Sequence, residues 1–173
     1  LSFIGAGVRA PTPEWGSMIA MGFQNVVTGQ WWPSIFPGLA LALYRPDLRV
    51  TLLESLLRRT EFLELAVTEL GLAERVEVAR GRAEEHRVRY QVVTARAVAP
   101  LERLVGWCTP LLSPGGVLVA LKGASASAEL AAAAGSLRRD RLTGVVRELP
   151  VPGTSEVTWA VEIRRQGDSQ PVS

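Results

Sequence analysis

From residue 37 onward, apolar and polar positions follow regular periods. Residues 38–44 form a short apolar run that predicts a helix, ended at Arg45-Pro46 because a residue before proline is driven out of the helical region. Residues 48–53 (LRVTLL) predict a strand. Residues 55–70 predict a helix, with Leu56, Leu63, Val67 and Leu70 near one face and Arg58, Arg59, Glu61 and Glu69 largely outside it. Gly71 is its stop signal. Residues 75–79 predict a strand, 81–84 a turn and 90–95 a strand. Pro100 opens a helix running to Leu112, since proline fits a first helical turn. Ser113-Pro-Gly-Gly116 reads as a tight turn before the strand 117–121. An alanine-rich helix follows over 127–142, then strands over 144–149 and 157–163. The polar residues 166–173 read as a frayed tail.

Strands alternating with helices predict an α/β fold with a mostly parallel sheet covered on both faces. The last two strands are joined by a short loop and should pair antiparallel. This is the outline of a Rossmann-like class I methyltransferase, with an antiparallel C-terminal hairpin.

Residues 1–36 break this grammar. They hold three of the five tryptophans and two charges, and no period lasts; Val26 and Val27 suggest a short strand. The domain reading is therefore an atypical segment 1–36, a methyltransferase-like domain 37–165 and a tail 166–173.

Composition narrows the function. The chain has 173 residues and a net charge of +2, so charge alone does not demand nucleic acid. Of 19 basic residues, Lys122 is the one lysine and 18 are arginine, whose planar fork suits phosphate and base recognition. One cysteine, Cys108, and one histidine, His86, leave no disulfide framework and no multi-histidine metal centre. The absence of disulfides suits the cytoplasm. No run approaches the about 18 apolar residues of a membrane span. Cys108, in an apolar helix beside Trp107, reads as a buried structural thiol.

In open α/β sheets, ligands bind beyond the carboxyl ends of the strands. Glu54 follows the strand 48–53, where a carboxylate can accept both ribose hydroxyls of a nucleoside; the bland reading is a cap on the next helix. Arg82-Ala83-Glu84 follows the strand 75–79 and can flank an adenine ring. Arg96 ends the strand 90–95, where it can hold a carboxylate, phosphate or base carbonyl, or form a structural ion pair. Lys122 follows the strand 117–121, so two basic groups fall on one edge. Gly5 to Ala10 fits a loose dinucleotide fingerprint, but Pro11 and Pro13 disrupt the helix that it requires.

The segments 37–63, GRAEE (81–85), ARAVAPLERLVGWC (95–108) and LVALKG (118–123) resemble the bacterial small-subunit ribosomal RNA guanine-N7 methyltransferases, the glucose-inhibited division protein B family. The resemblance implies S-adenosylmethionine as cofactor and a guanine of 16S ribosomal RNA, free or in the small subunit, as acceptor. It implies a cofactor site of Phe36, Gly38, Glu54, Ala83, Glu84 and Arg96, with Arg96 and Lys122 as catalytic residues. Lys122 would meet RNA phosphate or the guanine carbonyl. Arg58, Arg59, Arg138, Arg139 and Arg141 are candidate phosphate contacts.

The chain departs from the family at residues 29–36. Trp31 stands where a glycine approaches the cofactor, Phe36 where leucine is usual, and Gln91 where aspartate is usual. Translation of residues 1–36 out of the ancestral frame would produce so abrupt a boundary; a divergent or fused leader is the other reading. A sheet that has lost donor binding, a small-molecule methyltransferase and a nicotinamide enzyme using Gly5 to Ala10 are the functional alternatives. Nothing in the sequence calls for an oligomer, and a monomer is favoured.

Overall fold

The computed structural model describes residues 32–96, 99–150 and 157–167, without the side chains of 32–37 and Arg96. The expected strand at Val26 and Val27, the fingerprint Gly5 to Ala10, Trp31 and the tail beyond 167 lie outside these residues. The chain divides into two compact units, 1–82 and 83–173.

In the first unit, α1 (Trp32–Tyr44) leads to β1 (Val50–Glu54), α2 (Leu57–Glu69) and β2 (Val76–Arg80). Helix α1 begins six residues before the expected start at residue 38. Pro33 is accommodated because the first-turn amide that it lacks has no helical partner anyway. β1 and β2 pair in parallel, with Leu52 opposite Val78 and Glu54 opposite Arg80. Leu39 and Ala42 of α1, Leu52 of β1, Leu63, Ala66 and Val67 of α2, and Leu72 and Val76 form one core. The buried face of α2 is Thr60, Leu63, Ala66 and Val67. Leu56, expected on that face, precedes the helix as its cap and is 52% exposed.

In the second unit, β3 (Tyr90–Arg96), α3 (Leu101–Cys108), a 3-10 turn (Thr109–Leu111), β4 (Leu112–Lys122), α4 (Ala126–Arg139), β5 (Leu142–Pro150) and β6 (Val157–Arg165) follow in order. The sheet order is β3-β4-β6-β5. β3 and β4 are parallel, whereas β6 runs antiparallel to both β4 and β5. The expected C-terminal hairpin is therefore present, and the sheet is mixed. Leu101, Leu104, Val105 and Cys108 of α3 pack with Leu118 and Ala120 of β4, Ala133 and Leu137 of α4, and Val161 and Ile163 of β6.

Residues 113–116 are not a turn between elements, as their composition suggested. They bulge within β4, because the ladder passes from Tyr90–Leu112 directly to Val92–Val117. Gly115 has φ +74°. A Cβ on Gly116 would lie 2.9 to 3.1 Å from the carbonyl oxygens of Ser113, Tyr90 and Gln91. Glycine thus lets β4 fold out and still press against β3. No helix of the described residues is long and apolar enough to cross a membrane.

Candidate functional site

The carboxyl ends of the parallel strands carry the sequence-predicted residues. In the first unit, β1 ends on Glu54, whose backbone carbonyl accepts the Gly81 amide at 3.0 Å. Its side chain turns onto the start of the next helix. Glu54 Oε1 accepts the amides of Ser55 and Leu56 at 2.8 and 3.0 Å, and Oε2 lies 3.5 Å from Arg59. The capping role weighed from sequence is therefore occupied: a carboxylate at a helix N-terminus satisfies amides that lack helical partners. An ionised carboxylate offers about four acceptor positions. Oε2, with the longer contact, keeps capacity for a hydroxyl donor, so Glu54 suits a ribose while holding the turn.

Gly38 sits on α1, where a Cβ would come within 2.7 Å of Leu52 Cδ2. Its lack of a side chain thus serves the approach of α1 to β1. Phe36 lies on the same helix.

In the second unit, Ala83 and Glu84 occupy the turn that precedes β3; Ala83 is half-buried and Glu84 exposed. Arg96 closes β3 opposite Leu121 of β4, one residue before Lys122. Arg96 and Lys122 therefore share one sheet edge, as expected. The lysine side chain, however, turns inward. It is 5% exposed, and Nζ donates to the Ala99 carbonyl and to Glu129 Oε2, both at 2.7 Å. The expected phosphate or guanine contact would have to draw on an ammonium that already serves two internal acceptors.

Glu129 was missed in the sequence reading. Its Oε2 also accepts the Leu101 amide at 3.0 Å, and its Oε1 accepts the Ser125 hydroxyl at 3.0 Å. The hydrogen bond from Lys122 holds its carboxyl below the usual value. A signal existed: Glu129 is the one charged residue between Lys122 and Arg138, in an alanine-rich helix.

Cys108 is buried, as expected, and burial lifts its thiol pKa to about 11, with a smaller contribution from the charge of Glu84. A thiol so protonated is a poor nucleophile. His86 Nε2 is 2.7 Å from the Tyr90 hydroxyl and the rings stack, which gives this histidine a structural partner. Among the arginines proposed for phosphate, Arg58, Arg138, Arg139 and Arg141 are exposed, while Arg59 is directed to Glu54.

Comparison with known proteins agrees with this architecture. Residues 35–146 match the family model for rRNA small subunit methyltransferase G. A protein of Kineococcus radiotolerans named ribosomal RNA small subunit methyltransferase G is 52% identical over 132 residues, covering 75% of this chain and 52% of that protein. The Thermobifida fusca protein of the same name is 58% identical over 107 residues, 61% of this chain and 45% of its own length. The chain thus spans about half the length of the curated relatives it matches.

Among solved structures, an O-methyltransferase from neocarzinostatin biosynthesis, NcsB1, superposes with TM-score 0.59 at 16% identity over 73% of this chain and 44% of that one. Cofactor-bound Rv0187 of MTB superposes with TM-score 0.54 at 16% identity, covering 87% of this chain and 89% of that one. These likenesses establish the Rossmann-like class I methyltransferase fold. The family match begins at residue 35, two residues before the regular pattern of the sequence begins. With 112 residues matched to the family model and relatives more than half identical, the chain belongs to the rRNA small subunit methyltransferase G family.

Proposed function

We propose that this chain transfers the methyl group of S-adenosylmethionine to N7 of a guanine in 16S ribosomal RNA, acting in the cytoplasm on RNA of the small subunit. The observation that carries this reading is the family match across the strands that bear Glu54 and Arg96. The residues present suit the cofactor. Glu54 would accept the ribose hydroxyls, Ala83 and Glu84 would border the adenine, and Arg96 would orient the donor or the target base. Gly38 brings α1 against β1, which ends on Glu54, and Gly38 and Phe36 are the donor-site candidates on that helix.

When bound, S-adenosylmethionine supplies a methyl group activated by its sulfonium. Guanine N7 carries an available lone pair, so no residue has to remove a proton before attack. The acceptor nitrogen gains the methyl and the positive charge. The protein's contribution is alignment, which can supply several kcal/mol when two reactants are held in an attack geometry (about 7–11 kcal/mol at its upper range). The reading thus requires no catalytic histidine, and the structural partner of His86 is consistent with that. The target guanine must be unpaired or extruded to reach the donor. Exposed arginines such as Arg138, Arg139 and Arg141 would engage phosphates and make binding salt-dependent.

The test is methyl transfer from labelled donor to unmethylated small subunits and to stripped 16S RNA, with N7-methylguanine located by borohydride–aniline strand scission. Label at one guanine N7, abolished in Arg96→Ala, is expected. Turnover of a small hydroxylated substrate with no RNA label would overturn the proposal.

A further inference from the structure

We propose that Glu129 is a positioning residue, and that with Lys122 it forms a partly buried latch fixing residues 99–101, the start of α3, at the ligand-binding edge of the sheet. The inference rests on the methyltransferase reading for its catalytic consequence, but the latch itself stands on geometry.

The segment needs such a latch. Helix α3 starts at Leu101, and its cap residue, Pro100, has no side-chain acceptor to offer the first amides. The helix N-terminus would otherwise leave donors without helical partners. Glu129, 28 residues onward on α4, supplies the missing acceptor by taking the Leu101 amide at 3.0 Å. The same Oε2 receives Lys122 Nζ at 2.7 Å, and Nζ in turn holds the carbonyl of Ala99. One carboxylate and one ammonium therefore grip both sides of Pro100. They also join three elements: the end of β4, the start of α3 and the first turn of α4.

The latch lies where ligand chemistry is expected. Arg96 pairs with Leu121 in the β3–β4 ladder, one residue before Lys122, the lysine that holds Ala99. Holding Ala99 and Leu101 fixes the start of α3 beside the end of β4. The pair also explains the use of the chain's one lysine: a compact ammonium with three rotatable donors can serve a carbonyl and a carboxylate together, where a planar arginine fork fits less well. Ser125 Oγ, bonded to Oε1, sets the carboxylate's rotation.

The test compares wild type, Glu129→Gln and the double variant Lys122→Met/Glu129→Leu. A single change leaves a charge or its partner stranded and threatens folding, whereas removing both partners of a buried pair together is often tolerated. Amide hydrogen exchange at Leu101 reads the latch directly. We expect it to rise about tenfold or more in the folded double variant and less in Glu129→Gln, which keeps an acceptor oxygen. In single-turnover methyl transfer, the double variant should lose about tenfold in rate with little change in the RNA concentration for half-saturation. A folded double variant with wild-type exchange at Leu101 overturns the latch. Raised exchange with a wild-type transfer rate overturns its positioning role. If wild type methylates no RNA, the functional reading falls, while exchange at Leu101 and donor affinity still decide whether the latch orders this edge.

Discussion

Replacing Gly116 by alanine tests the packing of β4 on β3 in one atom. The added Cβ would sit 2.9 Å from the Ser113 carbonyl oxygen, 3.0 Å from that of Tyr90 and 3.1 Å from that of Gln91. Ordinary van der Waals contact with carbon lies near about 3.5 Å. All three obstacles are backbone atoms, so no side chain can rotate aside. The strands must separate by a few tenths of an ångström where β4 rejoins β3 after its bulge. Overpacking of this kind costs about 1–3 kcal/mol. For a chain of this size that corresponds to a fall of several degrees in Tm, at about 2–4 °C per kcal/mol. Gly135→Ala is the matched control. Gly135 lies exposed within α4, where an added Cβ meets nothing within 4 Å. There, the same chemical change should gain up to about 1 kcal/mol through helix propensity. Urea denaturation followed by tryptophan emission reports on the right unit, since Trp107 and Trp159 pack against its core. Opposite shifts of the two midpoints are expected. A Gly116→Ala midpoint at or above wild type would refute the bulge geometry.

Other expectations follow from the charged groups and the thiol. The Glu129 carboxyl is held below its ordinary value of 4.5 in the folded chain, so the stability it adds is complete above that value and is lost as pH falls through its folded pKa. Thermal unfolding between pH 6 and pH 3 should therefore fall more steeply for wild type than for Lys122→Met/Glu129→Leu; parallel curves would contradict this. Asp47, bonded to Arg45 at 2.6 and 2.8 Å, should titrate by NMR at about 2 and move back up in Arg45→Ala. Cys108 should resist a thiol reagent at pH 8 until urea unfolds the chain, because burial raises its pKa to about 11; prompt labelling of the native protein would contradict that burial.

Much of the fold was legible because its signals are local. β3 extends one residue past the expected 90–95, and the final two strands form the expected antiparallel hairpin. Apolar periodicity and the proline and glycine stops suffice for such elements. The departures each turn on a hydrogen-bonded contact that apolar periodicity does not report. Ser113-Pro-Gly-Gly116 has turn composition, but Leu112 already pairs with Tyr90, so the same residues become a bulge inside a longer strand. Leu56 has the right spacing for the buried face of α2, yet Glu54 caps that helix and leaves Leu56 outside it. The site was legible as an edge and less so as contacts. Strand ends located Glu54, Arg96 and Lys122, but the inward turn of Lys122 depends on α4 folding back to offer Glu129, a relation that no local pattern encodes.

Under the proposed function, this chain binds the methyl donor through Glu84 and Arg96. Calorimetric titration with S-adenosylmethionine tests it most directly, using wild type, Glu84→Ala and Arg96→Ala, with folding of each verified by circular dichroism. Saturable binding at one site is expected, weakened about tenfold or more by each substitution. A folded wild-type chain that takes up no donor would contradict it, and would make this a methyltransferase sheet without methyltransferase activity.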